Sequence, residues 1–76
     1  MIVQNYLMCH TARDIIAKNV RKYRELRGLK REGLSLLIDY DTSYISKLEK
    51  SKVNITIDTL ETIANILEIN LLKLFE

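Results

Sequence analysis

The sequence has no proline and only two glycines, which favours an all-helical chain over one built from strands and tight hairpins. It has a single cysteine, so an internal disulfide is excluded and a reducing, cytoplasmic setting is expected. No stretch approaches the roughly 18–20 apolar residues of a membrane span. Residues 1–8 lack the basic start and long apolar run of a secretory signal. We therefore expect one small all-α domain with no membrane partner.

Side chains suited to catalysis or metal binding are also scarce. Cys9 and His10 are adjacent, but one cysteine and one histidine supply at most half of a zinc site. A Cys–His catalytic pair would need a third group to orient it. We find no nucleotide-binding loop and no flavin or nicotinamide fingerprint. The sequence therefore predicts a protein that is not an enzyme and has no metal site, cofactor or small-molecule ligand.

Charge is distributed unevenly along the chain. The formal net charge is +2, yet residues 13–31 contain eight basic and two acidic side chains. Residues 53–76 contain one basic and four acidic side chains. A basic half suits a polyanionic partner such as nucleic acid, although the same charges could simply solvate helix faces.

Residues 31–50 have the pattern of two short helices joined by a tight turn. Apolar residues recur at helical spacing on the two halves, at Leu34 and Ile38 and then at Ile45 and Leu48. Between them lies Asp39, a residue type that tolerates a left-handed backbone, and Asp41 is placed to accept amides from the first turn of the second helix. The outer face of that helix is predicted to read base edges in a major groove through Thr42, Ser43, Tyr44, Ser46 and Lys47. Tyr44 has two interpretations, since it could meet a DNA sugar or thymine methyl or could cover the turn.

Helices are also expected before and after this unit. The first begins near Thr11, ends at Gly28 and buries Ile16, Val20 and Tyr23. A fourth is capped by Thr56, with its buried face at Ile57, Leu60, Ile63, Ala64 and Leu67. A short fifth is capped by Asn70. Residues 11–76 are thus expected to form a single domain, and residues 1–10 an N-terminal strand, packed arm or tail.

Five segments, taken in order, resemble the lambda-repressor-like helix-turn-helix family of the Cro and xenobiotic-response-element type. They are residues 20–25, 28–29, 31–50, 44–49 within that unit, and 54–60. The sequence of residues 44–49, with Asn54, Thr56 and Ile57, is also similar to small restriction-modification controller proteins. Ser35 stands where the family usually has alanine, a change we expect to be harmless in volume.

The resemblance implies a five-helix, all-α DNA-binding domain and assigns roles to further residues. In the family, the residues matching Arg24 and Glu49 pair between the first and third helices; the alternative is two independent surface charges. Candidate phosphate-binding residues are Lys30, Arg31, Lys50, Lys52 and Asn54. Apolar residues in excess of what a small core needs predict a dimer interface made from Ile66, Ile69, Leu71, Leu72, Leu74 and Phe75.

The function predicted from these features is sequence-specific binding of double-stranded DNA by a homodimer that regulates transcription from a near-palindromic operator. A restriction-modification controller is one form of this role, and a phage or mobile-element repressor is another. The alternative is a protein-interaction module or an antitoxin that has the same fold but acts mainly on another protein.

Overall fold

The computed structural model describes residues 12–76. These residues form four α-helices and a C-terminal 3₁₀ helix, joined by turns and short loops. In chain order they are α1 (Ala12–Leu26), α2 (Arg31–Leu37), α3 (Tyr44–Glu49), α4 (Ile57–Leu67) and the 3₁₀ helix (Leu71–Phe75). The all-α class predicted from the sequence is confirmed, with the fifth predicted helix present as the 3₁₀ helix. The predicted arm at residues 1–10, Cys9 and His10 within it, and the helix start at Thr11 lie outside the described residues.

The apolar faces of all five helices meet in one core. Its fully buried members include Val20 of α1, Leu34 of α2, Ile45 and Leu48 of α3, and Leu67 of α4, each with 0% of its surface exposed. Ile57 was predicted to face this core and does not: as the first residue of α4 it is 59% exposed.

Leu74 also belongs to this core, which corrects its assignment to a dimer interface. The 3₁₀ helix packs against α1, and Leu74 is 0% exposed within its own chain. The buried side chain of Asn19 in α1 strengthens this contact, because its Nδ2 donates a hydrogen bond to the Leu74 carbonyl at 2.9 Å. A residue closed off in this way is not available to a second copy.

Each of the four α-helices is followed, one or two residues after its last residue, by a residue with a left-handed backbone. These residues are Gly28 (φ 69°), Asp39 (φ 65°), Ser51 (φ 59°) and Glu68 (φ 59°). In each case the amide of the following residue returns to the carbonyl five positions earlier, the Schellman arrangement that satisfies the last carbonyls of a helix. The predicted turns at Gly28 and Asp39 are confirmed, and the α2–α3 connection is thereby a defined backbone turn.

The N-terminal caps predicted from the sequence are present at two helices and absent at a third. Thr56 accepts the Thr59 amide at 3.1 Å, and Asn70 accepts the Leu72 amide at 2.9 Å, so both predicted caps are present. Asp41 instead accepts the amide and hydroxyl of Ser43, at 3.0 and 2.7 Å, just before α3 begins. These hydrogen bonds from Ser43 hold the pKa of the Asp41 carboxyl below its ordinary value.

Candidate nucleic-acid interface

The outer surface of α3 and the turn before it carry the five residues predicted to read bases. Thr42 and Ser43 are exposed in the turn, one element earlier than predicted, because α3 begins only at Tyr44. On the helix Lys47 is exposed, and Tyr44 and Ser46 are half-buried. Ile45 and Leu48 commit the opposite side of α3 to the core, and the exposed Lys47 lies on the side that remains accessible to a ligand.

Ser35 joins the two helices of the helix-turn-helix in a way the sequence did not reveal. Its side chain is fully buried on α2, where the hydroxyl donates to the Arg31 carbonyl at 2.8 Å. The same oxygen accepts the amide of Ile45 at 3.0 Å. Since the first amides of a helix have no partner within it, Ser35 supplies from α2 a cap that α3 itself lacks. The expectation that serine matters here only through its volume was therefore incomplete.

Arg24 and Glu49, predicted from the resemblance to pair, form a two-point ion pair between α1 and α3. Arg24 Nε lies 2.7 Å from Glu49 Oε2, and its Nη2 lies 3.2 Å from Oε1. The third guanidinium nitrogen donates to the Leu29 carbonyl at 2.7 Å. The two side chains are only 7% and 6% exposed, so they are not independent surface charges. The pair fixes the last turn of α3 against the scaffold.

The phosphate-binding candidates form two groups along the chain. Lys30 and Arg31 are exposed at the start of α2, and Lys50, Lys52 and Asn54 are exposed in or just before the loop that follows α3. The Oδ1 of Asn54 accepts a hydrogen bond from Arg13 Nη2 at 3.0 Å, which brings a guanidinium from the start of α1 to this loop. Arg13 was visible in the sequence only as one member of a basic stretch.

Tyr44 lies against a second tyrosine in the α2–α3 connection. Its ring stacks on that of Tyr40 with the centroids 3.9 Å apart and the planes inclined by 30°. Burial raises the pKa of Tyr44, and the neighbouring Tyr40 adds to the shift. Of the two interpretations of Tyr44, the contact with the turn is present in the structure. The contact with DNA stays a prediction. The sequence pattern does not single out Tyr40.

The apolar residues assigned to a dimer interface separate into two groups. Leu72 and Phe75 are 66% and 41% exposed at the C-terminal end. Ile66, Ile69 and Leu71 are half-buried and pack against the core. Of the six residues predicted for a dimer interface, Leu72 and Phe75 are therefore the two that are exposed in the single chain.

Two further structural observations concern residues 12–76. None of the helices described there is long and apolar enough to cross a membrane. The same residues contain no group of three or more histidine, cysteine, aspartate or glutamate side chains placed to hold a metal ion.

Comparison with known proteins places this geometry in a family. The helix-turn-helix family (HTH_3) matches residues 20–74. Control protein C.SmaI of Serratia marcescens is 34% identical over 62 residues, which cover 82% of this chain and 74% of that protein.

Two solved structures have the same fold over most of the chain. The hypothetical transcription factor NHTF from Neisseria superposes with a TM-score of 0.82 at 27% identity, covering 87% of this chain and 76% of that one. The restriction-modification controller protein C.AhdI from Aeromonas hydrophila superposes with a TM-score of 0.76 at 27% identity, covering 83% and 91%. The chain therefore belongs to the helix-turn-helix family and is a DNA-binding transcriptional regulator of that family.

Proposed function

We propose that this regulator acts as a homodimer on a near-palindromic operator, with α3 in the major groove, and that it is the controller protein of a restriction-modification system. The observation that carries the proposal is the division of α3 into a buried apolar side and an accessible polar side. Its likeness to C.SmaI and C.AhdI, both named as controllers, supports the more specific role. A cytoplasmic location follows from that role.

The residues of the proposed interface have two different roles, which follow from the chemistry of their side chains. Lys47, with the hydroxyl side chains around it, can hydrogen-bond base edges and so discriminate sequence. The exposed cations at the start of α2 and after α3 contact phosphates, which position the domain but carry no sequence information directly. Asn54, with its Oδ1 already bound to Arg13, retains its amide hydrogens for a phosphate oxygen.

A second copy is required by the size of the reading unit. The polar side of a six-residue helix spans only a few base pairs. Two units related by a two-fold axis double the number of base pairs that are read and make the binding site palindromic. Leu72 and Phe75, exposed beside half-buried apolar neighbours, provide the self-complementary surface.

Fluorescence anisotropy with labelled duplexes tests this function directly. The DNA upstream of the chain's own gene is compared with a shuffled duplex of equal composition, over a series of salt concentrations. Specific binding should weaken with salt with a log–log slope on the order of −4 to −9 for a dimer, because lysine and arginine displace condensed counterions. Lack of binding to either duplex at low salt would refute the proposal and favour the protein-interaction module or antitoxin.

Two exposed lysines provide a matched pair of variants. Lys52→Ala should weaken binding to both duplexes alike and reduce the salt slope. Lys47→Ala should reduce the preference for the upstream duplex by about 1–3 kcal/mol if it makes one good base contact. Equal specificity profiles for the two variants would show that α3 is not the reading element. The restriction-modification role is tested separately, by whether endonuclease and methyltransferase genes flank this one.

A further inference from the structure

Tyr40 has a large side chain that belongs neither to the core nor to the proposed DNA contacts, and its structural role needs another explanation. It lies in the α2–α3 connection, is 39% exposed and is not part of the buried cluster. An exposed tyrosine in a loop would ordinarily be free to rotate. Here both ends of the side chain are held.

The hydroxyl of Tyr40 is held by the first turn of α4. It lies 2.9 Å from the Thr59 hydroxyl, on a residue that is only 8% exposed. The Thr59 hydroxyl in turn accepts a hydrogen bond from Thr56, the capping residue of α4, at 2.9 Å. The position of the Tyr40 ring is therefore set by the N-terminal end of α4.

The ring of Tyr40 is held by Tyr44, the first residue of α3. The ring centroids are 3.9 Å apart and the planes are inclined by 30°, so the two rings are stacked. Tyr40 lies in the connection that leads into α3, four residues before Tyr44 in sequence. A chain of contacts thus runs from α4 through Tyr40 to the side chain at the start of the reading helix.

We propose that Tyr40 is a positioning residue for DNA recognition, which holds Tyr44 in the orientation that contacts an apolar part of a nucleotide, the thymine methyl or the sugar. The inference rests on the proposed function and adds to it a residue that does not itself read the DNA. A side chain that is already fixed loses less conformational entropy on binding, so the contact it makes is stronger. Replacing the stack by a flexible aliphatic chain should therefore weaken binding to the operator even where the helices remain folded.

Four variants test the inference by anisotropy on the upstream duplex. Tyr40→Phe removes only the hydroxyl contact to α4, and Tyr40→Leu removes the stack as well. Tyr44→Leu removes the contacting ring, and the double Leu variant closes a mutant cycle. Tyr23→Phe is the control, since this half-buried α1 tyrosine lies instead beside the Lys22 ammonium, 5.1 Å from its ring centroid.

Tyr40→Leu should weaken specific binding by about two- to ten-fold, the range expected for losing one aromatic pair. The loss should not exceed that of Tyr44→Leu, and the double variant should lose little more than Tyr44→Leu alone. Tyr40→Phe should show a smaller loss than Tyr40→Leu. Tyr23→Phe should bind as the unmodified chain does.

Duplexes with single deoxyuridine-for-thymidine replacements identify the contact. If Tyr44 contacts a thymine methyl group, one replacement weakens DNA binding by the unmodified chain but not by Tyr44→Leu. If Tyr44 contacts a sugar, no replacement has this effect. Melting temperatures recorded for every variant separate loss of fold from loss of preference.

Three outcomes would overturn the inference. If the unmodified chain binds its operator and both Tyr40 variants bind that operator with the same affinity, Tyr40 serves only the stability of the turn, and the proposed function stands. Losses that multiply in the double variant would likewise show that Tyr40 acts independently of Tyr44. If the unmodified chain binds no DNA, the proposed function and this inference fail together.

Discussion

Glu49→Ala removes the carboxylate that pairs α3 with α1, and it should strongly reduce the free energy of unfolding. Arg24 would keep its hydrogen bond to the Leu29 carbonyl and a loose contact to Glu25 at 3.8 Å. Its guanidinium would nevertheless remain in a site that leaves only 7% of the side chain exposed. Breaking one partner of such a buried pair costs about 3–5 kcal/mol, and the retained hydrogen bond favours the lower end, about 3 kcal/mol.

Replacing both partners by apolar residues of similar size, Arg24→Met with Glu49→Leu, should cost less than either single change. The double variant leaves no uncompensated charge, although the Leu29 carbonyl still loses its donor. This ordering is characteristic of a buried pair, because two surface charges would give small and nearly additive losses.

Urea unfolding followed by far-ultraviolet circular dichroism measures the cycle, with protein concentration fixed so that a dimer equilibrium does not distort it. Arg21→Ala is the control, since its contact to Glu25 joins side chains that are 65% and 56% exposed. That change should alter stability by no more than about 0.5 kcal/mol. A loss in Glu49→Ala as small as in this control would refute the role assigned to the pair.

Three further predictions concern other parts of the chain. Ser35→Ala leaves the buried Ile45 amide without its acceptor, so it should destabilise by about 1–3 kcal/mol and speed hydrogen exchange of that amide; unchanged exchange would contradict the cap. Leu72→Asp should convert a dimer to a monomer in sedimentation without loss of helical signal, because this leucine is 66% exposed; an unmodified chain that is already monomeric at tens of micromolar would count against the interface. Since the pKa of Tyr44 is raised in the folded state, the unfolded chain loses this proton first, and stability should be retained below pH 10.0 and fall as the pH rises through the folded value. Urea unfolding between pH 9 and 11 should show a smaller decline in Tyr44→Phe, and an equal decline would contradict the assigned shift.

The parts of the fold that could be predicted are those fixed within one or two helical turns. The caps at Thr56 and Asn70 involve partners no more than three residues away, and the turn at Asp39 depends on the backbone tolerance of one residue. Periodicity identified the buried sides of the helices because residues three or four apart share a helical face. Local rules of this kind were sufficient for element order and fold class.

Residues 71–75 show where such rules fail. Their run of apolar side chains does not reveal which ones face inward, and all were assigned to an interface. In a 3₁₀ helix residues three apart share a face, so Leu71 and Leu74 lie together on the core while Leu72 and Phe75 are exposed. The direction of that helix relative to α1 decides which pair is buried, and sequence spacing alone does not specify it.

The side chains missed in the candidate site form contacts across larger separations. Ser35 reaches an amide ten residues away, Tyr40 a hydroxyl nineteen away, and Arg13 an amide oxygen forty-one away. A buried serine and an exposed tyrosine have no distinctive spacing in the sequence. Such pairings become visible only when the turns have brought the helices together.

These long-range contacts determine how α3 can act. A helix of six residues is too short to be stable alone, so its orientation depends on what surrounds it. Ser35 holds its first turn, Glu49 holds its last turn through Arg24, and the core holds the side between them. Tyr40 extends this support to the first side chain of the accessible surface. The DNA recognition that we propose for α3 would therefore depend on residues outside its exposed surface, and we expect substitutions at Ser35 or Glu49 to alter affinity by displacing the helix rather than by removing a contact.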